Sequence, residues 1–116
     1  VRMGAHTLIH KRTEDDIWKN LFELPLVETE KDLSEEEFLA CPQFHALFAE
    51  GEVRMVRTLL RGVKHVLSHR VIYTNFYEVT LPDNSSSFSS YQRVAVEDLG
   101  RYAVPRLIHA FLEKYV

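Results

Sequence analysis

The sequence predicts a small α+β domain, and three observations predict it. Residues 63–81 are crowded with Val, Ile, Tyr, Phe and Thr, which suit a pleated, half-buried strand. Ser34 stands three residues before Glu37, the spacing at which a serine caps a helix start and a glutamate bonds back to the cap. After Pro105, the residues Leu107, Ile108, Phe111, Leu112 and Tyr115 recur at helical spacing and form one apolar stripe. Strands and helices mixed within 116 residues fit one domain around one core.

Taken from the N-terminus, residues 2–11 predict one or two short strands, broken near Gly4 and Ala5. Residues 13–16 are a polar turn. Ile17 and Trp18 then lead into a short strand over residues 21–24, which Pro25 ends. The helix capped by Ser34 carries Glu35, Glu36 and Glu37 at the positive end of its dipole, and Cys41-Pro42 interrupts it. A second helical stretch follows, with Phe44, Leu47 and Phe48 on one face and Gly51 closing it. Residues 53–67 admit two readings. Val53, Val56, Leu60 and Val63 fit a helix, while Met55, Leu59, Val63 and Leu67 fit one side of a strand. Composition gives two strands over residues 63–81 with a turn near Ser68-His69, where the customary Gly or Asn is missing. Residues 82–87 are a loop, 91–96 a last strand and 97–100 a turn, and Pro105 suits the opening of the final helix. There is no internal repeat.

Hydrophobic residues make up 46% of the chain and charged residues 27%, as in soluble globular proteins. No apolar run approaches the roughly 20 residues that span a bilayer, and nothing at the start resembles a signal peptide. The start at Val1, already inside a strand-like run, points to a piece of a longer protein. Cys41 is the single cysteine, so there is neither a disulfide framework nor a cysteine cage for zinc or an iron–sulfur cluster. That usage predicts a reducing, cytoplasmic setting. The net charge of −3 argues against a strong autonomous nucleic-acid binder. Its distribution qualifies the argument, since residues 53–77 contain no Asp or Glu yet hold Arg54, Arg57, Arg61, Lys64 and Arg70, with His65 and His69. On charge alone, a solvated face and an anion-binding surface stand level.

Three stretches in order carry a family resemblance. Lys11-Arg12-Thr13 through Ile17-Trp18, then Leu21-Phe22-Glu23-Leu24-Pro25, resembles the pattern that opens the C-terminal domain of bacterial adenine DNA glycosylases of the MutY type. Lys64-His65-Val66-Leu67-Ser68-His69-Arg70 looks like that family's loop centred on Phe-Ser-His, which reaches toward oxidised guanine. Glu97-Asp98-Leu99 through Ala103-Val104-Pro105 is similar to the family's ending. The resemblance implies a Nudix-like sandwich, a mixed β-sheet flanked by helices, with residues 1–116 forming a single 8-oxoguanine-recognition domain. It further implies that adenine excision belongs to a separate N-terminal helical domain holding the catalytic carboxylates and an iron–sulfur cluster. The chain itself is then expected to have no catalytic residue, no metal and no cofactor. Its expected partners are double-stranded DNA with an adenine:8-oxoguanine mispair and that glycosylase domain, with no membrane.

Nudix hydrolases need a box with a Gly, an Arg-Glu pair and two further Glu to hold magnesium. The equivalent residues 25–51 have Glu35, Glu36 and Glu37, but no Arg and no Gly before Gly51. Adjacent positions do not share a helix face, so these three are assigned to capping rather than to a metal.

The resemblance makes Ser68 the reader of the lesion. Guanine presents N7 as an acceptor, whereas 8-oxoguanine presents an N7–H donor beside a new carbonyl acceptor. A hydroxyl can accept at one and donate at the other. The bland reading of a serine in a turn is a local bond to backbone. His69, Lys64 and Arg70 are expected on phosphates, fixing register. Leu67 stands where the family often has Phe, and offers apolar bulk beside a base. His65 and His69 have a metal-like spacing only if helical, so His65 is assigned to packing beneath the loop. Trp18 is assigned to a core, and Tyr73, Phe76 and Tyr77 to sheet packing. Two other functions stay open, a Nudix nucleotide pyrophosphohydrolase and a catalytically silent Nudix-like protein-interaction module.

Overall fold

The computed structural model describes residues 1–13 and 19–115. The expected turn over residues 13–16 and Trp18 therefore fall largely or wholly outside the described residues. In chain order the elements are β1 (His6–Lys11), β2 (Phe22–Glu23), α1 (Glu35–Ala40), α2 (Pro42–Leu47), β3 (Met55–Val66), β4 (Val71–Thr80), β5 (Gln92–Ala95), a 3₁₀ helix (Val96–Arg101) and α3 (Arg106–Tyr115). They form two compact units, one from Val1–Leu26 with Phe88–Val116 and the other Val27–Ser87. The content is α+β, and the expected mixed sheet takes the form, among the described residues, of two antiparallel sheets. No helix among them is long and apolar enough to cross a membrane.

In the first unit the strand order is β2-β1-β5. Gly4, at φ 60°, reverses the chain so that Met3 and His6 exchange backbone bonds of 2.9 and 3.1 Å. A positive φ is cheap only for glycine, which is why the strand breaks there. Of residues 21–24 only Phe22–Glu23 pairs with β1, while the Phe22 N–H donates to the Ala103 carbonyl at 2.8 Å. Ile9 is fully buried with Val94 and Leu99, and Phe22, Leu24, Val96, Tyr102 and Leu112 pack around them. Leu112 belongs to the apolar stripe of α3, so that stripe packs on this core. Removing the Ile9 side chain deletes a fully buried group from a close-packed cluster. Ile9→Ala is expected to cost about 2–5 kcal/mol in urea unfolding, and a loss below ~1 kcal/mol would contradict this core.

The second unit begins with the capped helix. The Glu37 N–H donates to Ser34 Oγ at 3.2 Å, and the Ser34 N–H donates to Glu37 Oε1 at 3.0 Å. Cys41, extended at φ −75° and ψ 146°, ends α1 and starts α2, with Pro42 in its first turn. Two helices of six residues each cannot stand alone, because a helix so short barely recovers its nucleation cost. Aromatic packing holds them. Phe38 stacks on Tyr77 of β4 at 4.3 Å and meets Phe44 edge-on at 5.0 Å, and Phe44 is itself buried.

Residues 55–66 are a strand, which settles the two readings of that stretch. β3 has twelve residues against ten in β4, and register shifts fall between Thr58 and Leu60 and between Leu60 and Val63. Each shift adds a residue to β3, as a β-bulge does. The half-buried positions run Val56, Thr58, Leu59, Leu60, Val63 and His65, and the step of three from Leu60 to Val63 across the second bulge imitates a helical spacing. Met55, which the alternation had grouped with Val63, is exposed.

The loop after β4 is fastened by one carboxylate. Glu52 accepts from the hydroxyls of Ser85, Ser86 (3.0 Å) and Ser87 (2.9 Å) and from the Ser86 N–H at 3.1 Å. The Ser85 hydroxyl, then the Ser86 N–H, hold its carboxyl down at about 2, against an ordinary 4.5. A depressed carboxyl stabilises the folded form above its unfolded value and loses that contribution as pH falls through the folded one. Carbon-detected NMR is expected to show Glu52 titrating near 2, with the protection factor of the Ser86 amide, corrected for intrinsic exchange, falling as the pH drops toward that value. Titration at the ordinary value would show that the serines do not hold it.

Candidate functional site

Leu67, Ser68, His69 and Arg70 join β3 to β4, and the Leu67 N–H donates to the Arg70 carbonyl at 2.8 Å. The turn thus falls at Ser68-His69. Ser68, His69, Arg70 and Lys64 are exposed, and Leu67 and His65 are half-buried. Among the described residues, nothing bonds to or pairs with the side chains of Lys64, Ser68, His69 or Arg70. His65 lies in β3 and His69 in the turn, so the helical spacing that would bring both onto one metal does not exist here.

The other cations of the acid-free run are engaged within the fold. Arg54 donates to the Gly51 carbonyl at 3.1 Å, and Arg57 pairs with Glu78 at 3.1 Å. Arg61 pairs with Asp32 at 3.2 Å and donates to the Leu33 carbonyl at 3.0 Å and the Tyr77 hydroxyl at 3.2 Å. A stretch without acids in sequence acquires two from elsewhere in the fold. Such surface pairs add little stability, but each neutralises a charge and fixes a guanidinium. Of the run's cations, Arg54 and those near the tip have no acidic partner among the described residues.

The tip is oriented by the second bulge. Gly62 sits there at φ 66°, and its N–H donates to Asn75 Oδ1 at 2.7 Å. Asn75 Nδ2 donates to Asp32 Oδ1 at 2.8 Å, the same carboxylate that holds Arg61. Gly62, Asn75 and Asp32 are positioning residues that the sequence did not reveal, although a lone glycine in a strand pattern is itself a sign of a bulge.

Beyond the bulge, Lys64 faces Tyr73 across the ladder and Val66 faces Val71. Side chains alternate, so these four share one face. Tyr73 is 67% exposed and Val66 65%, which corrects the assignment of Tyr73 to sheet packing. Phe76, at 9%, and Tyr77, stacked on Phe38, do pack as expected.

A magnesium site of the hydrolase kind does not fit the carboxylates of α1. Glu35, Glu36 and Glu37 are exposed neighbours that fan about 100° apart around the helix. Glu37 is engaged in the cap, and the Ser34 N–H, then the Ser34 hydroxyl, hold its carboxyl below the ordinary value.

Searches of curated proteins and of solved structures return no match to this chain. A family model described as the NUDIX domain matches residues 1–114. An α+β chain matched along nearly its whole length in this way belongs to the NUDIX domain family.

Proposed function

We propose that this chain is a lesion-recognition domain that reads 8-oxoguanine opposite adenine in double-stranded DNA. In this reading it serves a cytoplasmic adenine glycosylase whose catalytic, iron–sulfur-containing domain lies elsewhere in the same polypeptide, and it catalyses nothing itself. One observation supports it above the rest. The hairpin tip carries a hydroxyl and three cationic or imidazole side chains, exposed and unpaired, while Arg57 and Arg61 nearer the hairpin's base pair with carboxylates.

The chemistry follows from what each group offers. The Ser68 hydroxyl accepts from N7–H of the oxidised base and donates its own proton toward the adjacent C8 carbonyl oxygen. Opposite unmodified guanine it finds only the N7 acceptor and loses one of the two bonds. A good base-edge contact is worth about 1–3 kcal/mol, so this one hydroxyl accounts for a preference of roughly 5- to 150-fold. Lys64, Arg70 and His69 bind phosphates, adding affinity and register without sequence information. Leu67 supplies apolar bulk at the base of the turn.

Family membership supports a second reading, a nucleotide pyrophosphohydrolase. The two part on experiment. The chain is titrated with duplexes containing 8-oxoguanine:adenine or guanine:adenine, and separately incubated with nucleoside triphosphates and magnesium. Lesion recognition predicts tighter binding of the oxidised duplex, removal of that preference by Ser68→Ala, and equal weakening on both duplexes by Arg70→Gln. Equal affinity for the two duplexes, unchanged by Ser68→Ala, would falsify the assignment of the loop. Magnesium-dependent triphosphate turnover would establish the second reading instead.

A further inference from the structure

We infer that the outward face of the distal hairpin, Lys64, Val66, Val71 and Tyr73, is a second nucleic-acid contact, in which the Tyr73 ring stacks on an unstacked base while Lys64 holds the neighbouring phosphate. The inference rests on the DNA-binding reading above and adds to it residues outside the turn.

Tyr73 is two-thirds exposed, and it does not stand alone. Val66 at 65% and Val71 at 45% lie beside it, so the face presents one ring and two branched aliphatic side chains to water. A contiguous apolar face of this kind signals an interaction surface, whereas scattered exposed side chains do not. Lys64 is the direct cross-strand neighbour of Tyr73, with the two side chains about 5 Å apart at their Cβ atoms. Its stem can lie along the ring while its ammonium stays in solvent, and no described residue neutralises it.

Charge selects the occupant. Residues 63–77 contain no Asp or Glu, the nearest acid along β4 is Glu78, and that carboxylate already pairs with Arg57. Arg70 and His69 add unpaired donors at the same end of the hairpin. A second copy of this chain docked by two-fold symmetry would set Lys64 and Arg70 against their own equivalents, which repel. A polyanion with planar faces meets the ring, the aliphatic patch and the cation together. DNA around a base undergoing extrusion offers an unstacked face next to phosphates.

The test uses the 116-residue chain. Two probes are titrated, the 8-oxoguanine:adenine duplex and a single-stranded oligonucleotide carrying 2-aminopurine, whose fluorescence is quenched by stacking. Tyr73→Phe keeps the ring and is expected to bind as the parent does. Tyr73→Thr keeps strand propensity, and is expected to weaken binding about tenfold and remove the quench. Lys64→Gln is expected to lower the slope of log affinity against log salt by about one. Stacking is tolerant of base identity, so the preference for 8-oxoguanine over guanine should survive Tyr73→Thr. If Tyr73→Thr and Lys64→Gln bind within about twofold of the parent while Ser68→Ala abolishes the lesion preference, this inference fails and the lesion-reading proposal stands. No binding of either probe at about 50 mM salt sinks both. Self-association that Tyr73→Thr abolishes, with DNA affinity unchanged, assigns the face to a second copy and overturns the inference.

Discussion

β3 brings twelve residues to a partner of ten, and the hairpin absorbs the excess as two bulges. Each bulge slips β3 by one residue and so exchanges its faces, and the second slip undoes the first. Leu60, opposite Phe76, takes the other face from Val56 and Thr58, and Val63 and His65 keep that face. Val56 pairs with Val79 and Lys64 with Tyr73, six residues apart on β4, so Lys64 and Val66 lie on the face that Val56 takes. The second slip falls at Arg61-Gly62. Gly62 makes it affordable through its positive φ, and Asn75 satisfies the N–H that the ladder leaves over. Asp32, reached from the segment before α1, then ties Asn75 and Arg61 to one carboxylate.

The same carboxylate shapes the electrostatics. Asp32 and Glu78 each neutralise an arginine on the near part of the hairpin, so Arg57 and Arg61 add little to the positive charge that Lys64 and Arg70 carry toward its far end. This division matters more than the net charge of −3, because a phosphate responds to the groups within about a Debye length of it. It also fits the separation of labour proposed for the tip. Cations that bind phosphates fix position, and a single hydroxyl with both donor and acceptor capacity carries the base information.

Local signals were legible in the sequence, and signals made by tertiary pairing were not. Ser34 with Glu37, Pro42, Gly4 and Pro105 each act through the chemistry of one or two neighbouring residues, and each marks a helix end or a strand break where expected. The turn at Ser68-His69 was legible because β-rich residues flank it on both sides. The helix-like period over residues 53–67 competed with the strand reading for an identifiable reason, since a bulge converts a step of two into a step of three. Tyr73 misled because it lies on the same face of β4 as Tyr77, and only the place where Phe38 covers that face decides which ring packs. The acid-free run was accurate as sequence, but Asp32 lies 29 residues before Arg61 and returns only through the fold.

Helix α1 shows how one chemistry can be spent in two ways within the NUDIX fold. A carboxylate in the first turn of a helix can accept from the backbone of its own cap, or it can turn outward and join others around a cation. Glu37 takes the first course, and the capping box satisfies two backbone donors at the start of a helix of only six residues. Recruiting it to a metal would release the Ser34 N–H and loosen the helix start. That start is set by the same segment that delivers Asp32 and the Leu33 carbonyl to Arg61. The cap therefore reaches further than its own helix. By fixing where the chain enters α1, it fixes the carboxylate that bonds Asn75 and Arg61 beside the second bulge.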